Sequence, residues 1–177
     1  MALRRDGARV GDDVWVSGTL GDAAGALAQW QAGQAIDAGL RTQLDRPTPR
    51  VALGRALRGI ATACIDVSDG LLADLCHVCT ASGVGAMIDL DTLPASDALR
   101  ACFGREQQRI LQATGGDDYE LCFTAPAGAR DGLLRASASA GVAVTRIGRL
   151  VDVPGVAACT IDGSAWSAPE AGWAHFA

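Results

Sequence analysis

The chain has 177 residues, of which 49% are hydrophobic and 5% aromatic, with a net charge of −5. That is enough apolar sequence to bury the core of one domain, and the acidic balance excludes the basic face that a nucleic-acid backbone requires. All 15 basic residues are arginine, which rules out a Walker A loop and a Schiff-base or catalytic lysine, so any nucleotide chemistry here must rest its positive charge on arginine and metal.

Asp13-Val14-Trp15-Val16-Ser17 alternates like a half-buried strand, and Gly18-Thr19-Leu20-Gly21-Asp22 then turns into an Ala-rich helical stretch that reaches about Gln31. Residues 33–46 read as a loose polar connection. A helix is expected over residues 47–59, where Val51, Leu53, Ala56 and Leu57 recur at three- and four-residue steps behind Pro47. Residues 61–67 form a compact apolar run of strand length. Leu71, Leu72, Leu75, Val78 and Cys79 then make a helical stripe that Ser82-Gly83 closes.

Residues 84–90 read as the next strand, with Leu93-Pro94 as its exit. Two short helices are expected over 96–102 and 106–113, a strand over 119–124, an Ala-rich helix over 128–140 and a strand over 142–150. Residues 156–161 lead through Asp162-Gly163 into a hairpin. Strands alternating with helices imply an α+β or α/β sandwich, a mixed sheet flanked by helices. Cys76-His77-Val78-Cys79 is read as core helix rather than zinc site, because four ligands are needed and no second Cys pair exists. The other cysteines sit mostly in apolar stretches, as small hydrophobes. No apolar run approaches the roughly 18 residues that span a bilayer, and residues 1–6 hold no apolar leader core, so a cytoplasmic location without a membrane partner is expected.

Two short acidic loops carry the chemistry. The first is Ile65-Asp66-Val67-Ser68-Asp69-Gly70, the second Gly115-Gly116-Asp117-Asp118-Tyr119-Glu120-Leu121. Each sets carboxylates beside glycines at an element boundary, where oxygen ligands can converge on a hard cation such as Mg²⁺ and a phosphate can approach bare backbone. In the first loop, Ser68 or Asp69 could cap the helix that follows, which explains one acid and one hydroxyl but not both aspartates. In the second, adjacent like charges need a cation or basic groups beside them, and Glu120 inside a buried strand needs a partner. Arg5, in Arg5-Asp6-Gly7-Ala8, could reach a phosphate through charge-assisted bonds. The aromatic tail Gly172-Trp173-Ala174-His175-Phe176 either stacks on a flat heterocycle or pins the chain end to the body.

Taken together, the order and spacing of these segments resemble the thiamine-monophosphate kinase family, of the superfamily that also contains aminoimidazole ribonucleotide synthetase. The stretches Arg5 to Asp12, Val16 to Gly21, Arg46-Pro47-Thr48-Pro49-Arg50, both acidic loops and the tail carry the resemblance over almost the whole chain. It implies the C-terminal domain of that fold, and an enzyme that moves the γ-phosphoryl of ATP onto thiamine monophosphate with several Mg²⁺ ions. It further implies Asp66 and Asp69 as magnesium ligands, Ser68 and Arg5 as ATP contacts, and Glu120 and Trp173 as thiamine-phosphate contacts, with Asp117 and Asp118 in a supporting role. Such transfer is mainly positioning and charge neutralisation, which aspartates and metal supply without lysine.

Complete enzymes of this kind begin with a further domain that supplies most magnesium-binding aspartates and the main homodimer interface. Residues 1–177 are therefore expected to be a single C-terminal-type domain, with residues 1–20 joining it to that other domain, and to turn over little alone. A non-catalytic module binding nucleotide or thiamine phosphate, or another synthetase of the superfamily, is the alternative.

Overall fold

The computed structural model describes residues 2–168. Its strands are β1 (Asp13–Ser17), β2 (Ala63–Asp66), β3 (Gly85–Asp89), β4 (Leu121–Ala125), β5 (Val144–Val151), β6 (Gly155–Cys159) and β7 (Ala165–Trp166). Its helices are α1 (Asp22–Gln31), α2 (Ala38–Asp45), α3 (Val51–Ala56), α4 (Leu71–Ser82), α5 (Asp97–Cys102), α6 (Arg105–Thr114) and α7 (Arg130–Ala140). The strands form one mixed sheet of 7 in the order β2-β4-β1-β5-β3-β6-β7. All neighbours run antiparallel except β3 and β6.

Period-two alternation sorts the side chains to two covered faces. Val14, Val16, Ile65 and Cys122 pack under α4 through Leu71, Leu75, Val78 and Cys79. Trp15 and Phe123 face the other way, onto Leu53 of α3 and Leu133 of α7. Because both faces are covered, all five residues of β1 are buried, Asp13 and Ser17 included. Asp13 is held by Arg130 of α7 and Arg146 of β5, at 2.6 and 2.7 Å. A smaller cluster of Ala26, Leu40, Leu99 and Leu111 joins α1, α2, α5 and α6. Among the described residues no helix is long and apolar enough to cross a membrane.

The expected sandwich of a mixed sheet and flanking helices is what forms, with three local differences. Residues 33–46 are not a loose connection, since they contain α2. Its N-cap Asp37 accepts hydrogen bonds from the Gly39 and Leu40 amides at 2.8 and 3.2 Å, and Leu40 is fully buried. A single buried apolar residue leaves almost no periodic signal. Asp37→Ala is expected to cost about 1 kcal/mol and to lower the thermal midpoint by about 2–4 °C, read by calorimetry.

The second difference is that α3 starts at Val51, because Pro49 disfavours helical backbone at Thr48. The third is that β4 starts at Leu121, leaving Tyr119 and Glu120 in the loop before it. Tyr119 has φ 50°, which a strand cannot contain. In α4, Val78 and Cys79 enter the core as expected, whereas Cys76 and His77 face outward.

Candidate functional site

Pairing of β2 with β4, with Asp66 opposite Leu121, brings the two acidic loops side by side. Beyond the ladder the chains stay zippered. The Val67 amide donates to the Glu120 carbonyl at 2.8 Å, the Tyr119 amide to the Val67 carbonyl at 2.8 Å and the Asp117 amide to the Ser68 carbonyl at 2.9 Å. This contact explains the glycines. A Cβ on Gly116 would lie 2.4 Å from the Ser68 carbonyl oxygen, and one on Gly70, whose φ is +118°, would lie 2.7 Å from that of Thr114.

The adjacent aspartates avoid each other through backbone conformation. Asp117 and Tyr119 both sit in the left-handed region, at φ 65° and 50°, and flank Asp118. Asp117 is exposed. Asp118 turns inward and accepts from the Gly21 amide with both oxygens, at 2.9 and 3.0 Å, capping α1 from a different element. Burial pushes its carboxyl well above the usual range, against the lowering effect of the Gly21 amide. Asp118 thereby fixes α1 to the second acidic loop.

In the first loop, the N-cap position of α4 falls on Gly70 rather than on Ser68 or Asp69, and Asp74 holds the loop instead. Its Oδ2 accepts from the Ser68 and Asp69 amides at 2.9 and 3.0 Å. Gly70 has no side chain to cap with, and the acid in the first turn of α4 fastens the loop backbone ahead of the helix. Asp66 and Asp69 lie at the surface and Ser68 is half-buried.

Glu120 is 4% exposed and finds the partner it needs in Arg50. Arg50 Nε donates to Oε2 at 2.8 Å and Nη2 to Oε1 at 2.5 Å, a bidentate ion pair. The Ser17 hydroxyl also donates to Glu120, and its oxygen accepts from the Leu121 amide at 2.9 Å. Gly18 makes room, since a Cβ there would lie 2.0 Å from Glu120 Oε1. Arg50 was not among the site residues expected from the sequence, although it ends the Arg46-Pro47-Thr48-Pro49-Arg50 motif. Two prolines force extended backbone in front of it, and that is the available signal.

Beside the zippered loops lies a cavity of about 550 Å³. Leu3, Pro47, Pro49, Val51, Ile65 and Leu121 make its walls apolar, and Arg4, Arg5, Arg50, Asp66 and Tyr119 bring polar groups to it. The N-terminal segment reaches the cavity because the Cys64 amide donates to the Arg4 carbonyl at 2.8 Å and the Ser82 hydroxyl to the Arg5 carbonyl at 3.0 Å. Of the expected residues the cavity thus gathers Arg5 and Asp66. Ser68, Asp69, Asp117, Asp118 and Glu120 do not line it, and Trp173 lies outside the described residues. Cys64 lines it too, and burial with the nearby Asp66 charge pushes its thiol up to about 12. Iodoacetamide at pH 8 is therefore expected to label the exposed Cys76 and Cys102 while sparing Cys64, read by peptide mass spectrometry.

Carboxylate oxygens suit Mg²⁺, which takes one or two carboxylates and completes its shell with water and substrate phosphates. Asp66 and Asp69 fit that partial role. Among the described residues no group of three or more His, Cys, Asp or Glu side chains could hold a metal by itself.

The model of the family "AIR synthase related protein, C-terminal domain" matches residues 9–159. Thiamine-monophosphate kinase of Salmonella typhimurium is 45% identical over 161 residues, which is 88% of this chain and 50% of that protein. The Escherichia coli K12 protein of the same name is 44% identical over 99% of this chain and 56% of its own length. The crystal structure of thiamine-monophosphate kinase from Stenotrophomonas maltophilia K279a superposes with a TM-score of 0.85 at 53% identity, covering 93% of this chain and 54% of that one. A structure of AaThiL complexed with AMPPCP and TMP gives a TM-score of 0.78 at 33% identity, covering 98% and 54%. The chain spans about half the length of the curated relatives it matches, 50 and 56% in the first two.

Proposed function

This chain belongs to the family of AIR synthase related proteins, matching its C-terminal domain, and on that premise we propose that it is the C-terminal portion of a thiamine-monophosphate kinase. The reaction moves the γ-phosphoryl of ATP onto the phosphate of thiamine monophosphate, giving ADP and thiamine diphosphate. The observation that carries this reading is the zippering of the two acidic loops, which sets the exposed Asp66, Asp69 and Asp117 at one end of the sheet beside an Arg-bearing cavity. Relatives of that name at 44 and 45% identity support it.

In the proposed site Asp66 and Asp69 hold Mg²⁺, which when bound neutralises phosphate charge. Arg5, held at the cavity through its backbone, donates to the nucleotide phosphates beside Ser68. The apolar walls exclude water from the thiamine side, and the resemblance adds Trp173 as a thiamine-phosphate contact. Asp118 and Asp74 touch no ligand. They fix the loop backbones on which the reacting groups sit, and such chemistry depends on position above all. The cytoplasmic location and the homodimer implied by the resemblance belong to the same proposal, and so does a division of the metal ligands between this domain and another.

The experiment is thiamine-monophosphate-dependent ADP release from Mg-ATP, with the chain alone and with a separately produced N-terminal half of a thiamine-monophosphate kinase shown to associate with it. Activity in the mixture is the expected result, with little from the chain alone, because Asp66 and Asp69 are only part of a metal site. Silence in an associated mixture would sink the reading in favour of a non-catalytic binding module.

A further inference from the structure

The Arg50–Glu120 pair is asymmetric towards the cavity: Arg50 lines it and Glu120 does not. The two side chains are 19% and 5% exposed. An arginine carries five N–H donors in a fixed plane. Glu120 takes donors from Nε and Nη2, and among the described residues none accepts from Nη1. Glu120 in turn has three of its roughly four acceptor sites taken, with both oxygens on Arg50 and a further bond from Ser17 to Oε2. A carboxylate so engaged has little left to offer a ligand, whereas the guanidinium it holds has unspent donors and lines the same cavity as Arg5. Planar donor pairs suit phosphate oxygens.

We propose that Arg50 contacts the phosphate of the ligand in this cavity, and that Glu120 is its positioning residue, fixing the guanidinium without touching the ligand. The inference rests on the thiamine-monophosphate reading for the identity of the ligand, though not for its phosphate. It reassigns Glu120 from substrate contact to support, and adds a residue that the sequence motif alone left without a role. Ser17 and Gly18 belong to the same device, one orienting the carboxylate and the other leaving space for it.

The test is a titration of the ¹⁵N-labelled chain followed at the Arg50 Nε–Hε resonance, with thiamine monophosphate, thiamine and inorganic phosphate as separate probes. Thiamine monophosphate and phosphate are expected to shift it, and thiamine is not. Glu120→Gln keeps the size of the side chain and removes its charge. It is expected to lower the preference for thiamine monophosphate over thiamine by about tenfold, with thiamine affinity nearly unchanged. An Arg50 resonance unmoved by saturating thiamine monophosphate and phosphate would overturn the proposal in the wild-type chain, independently of any variant. Equal loss of both thiamine compounds in Glu120→Gln would overturn it as well, because Glu120 would then touch the thiamine moiety or merely hold the fold. If phosphate shifts Arg50 and thiamine monophosphate binds no tighter than phosphate, the anion contact stands and the thiamine reading falls.

Discussion

Arg50→Ala is expected to lower the unfolding free energy of the chain by about 3 kcal/mol, the largest stability change among single truncations at the site. The reason is the carboxylate left behind. Glu120 is 5% exposed in its side chain, and without Arg50 its charge would keep only the Ser17 hydroxyl. Removing one partner of a buried pair costs about 3–5 kcal/mol, most of it the stranded charge rather than the lost attraction. The low end applies because Arg50 itself is 19% exposed, so water can reach part of the vacated space. Urea unfolding of the two single alanine variants and the double variant separates the contributions. The double variant should be more stable than the sum of the singles predicts by at least about 1 kcal/mol. Strict additivity would mean that the pair is screened and that Glu120 tolerates isolation.

Much of this arrangement was legible in the sequence. The strand expected at residues 13–17, the stripe from Leu71 to Cys79 and the Asp162-Gly163 turn each identified an element that forms, although β1 is buried on both faces and not half-buried as its reading implied. Those signals are local, since periodicity and turn chemistry act within a few residues. The acidic loops were legible as chemistry for the same reason. What the sequence did not reveal is the set of contacts between segments. The helix α2 depends on Leu40 finding Leu99 and Leu111 across the chain, and that is invisible in a polar window. Glu120 needed a partner, but nothing local named Arg50, 70 positions away. Asp118 looked like a member of an acidic pair, and becomes a helix cap only once α1 is placed against its loop. Glycines suggested phosphate approach. Their immediate function is steric, Gly116 letting one loop lie on the other and Gly70 clearing the end of α6.

That steric role gives the sharpest functional expectation. Gly116→Ala places a Cβ 2.4 Å from the Ser68 carbonyl oxygen, a distance that real Cβ atoms do not tolerate, and the atom it meets is backbone. No side-chain rotation relieves it, so the loops must part by roughly 1 Å to restore van der Waals contact. Separation breaks the bond from the Asp117 amide to Ser68 and strains that from Tyr119 to Val67, which together hold the first loop at its present height. Asp69 follows Ser68 directly and moves with it. A displacement of that size in a site working by position costs about a hundredfold in rate. The expected result is therefore a loss of about two orders of magnitude in kcat/KM in the reconstituted assay. Amide exchange of Asp117 and Tyr119 should accelerate in parallel while that of β1 is unchanged. Full activity with accelerated exchange would show that the zipper is not what positions the aspartates. Lost activity with protected amides would place the damage elsewhere, in a direct approach of substrate phosphate to the Gly116 backbone.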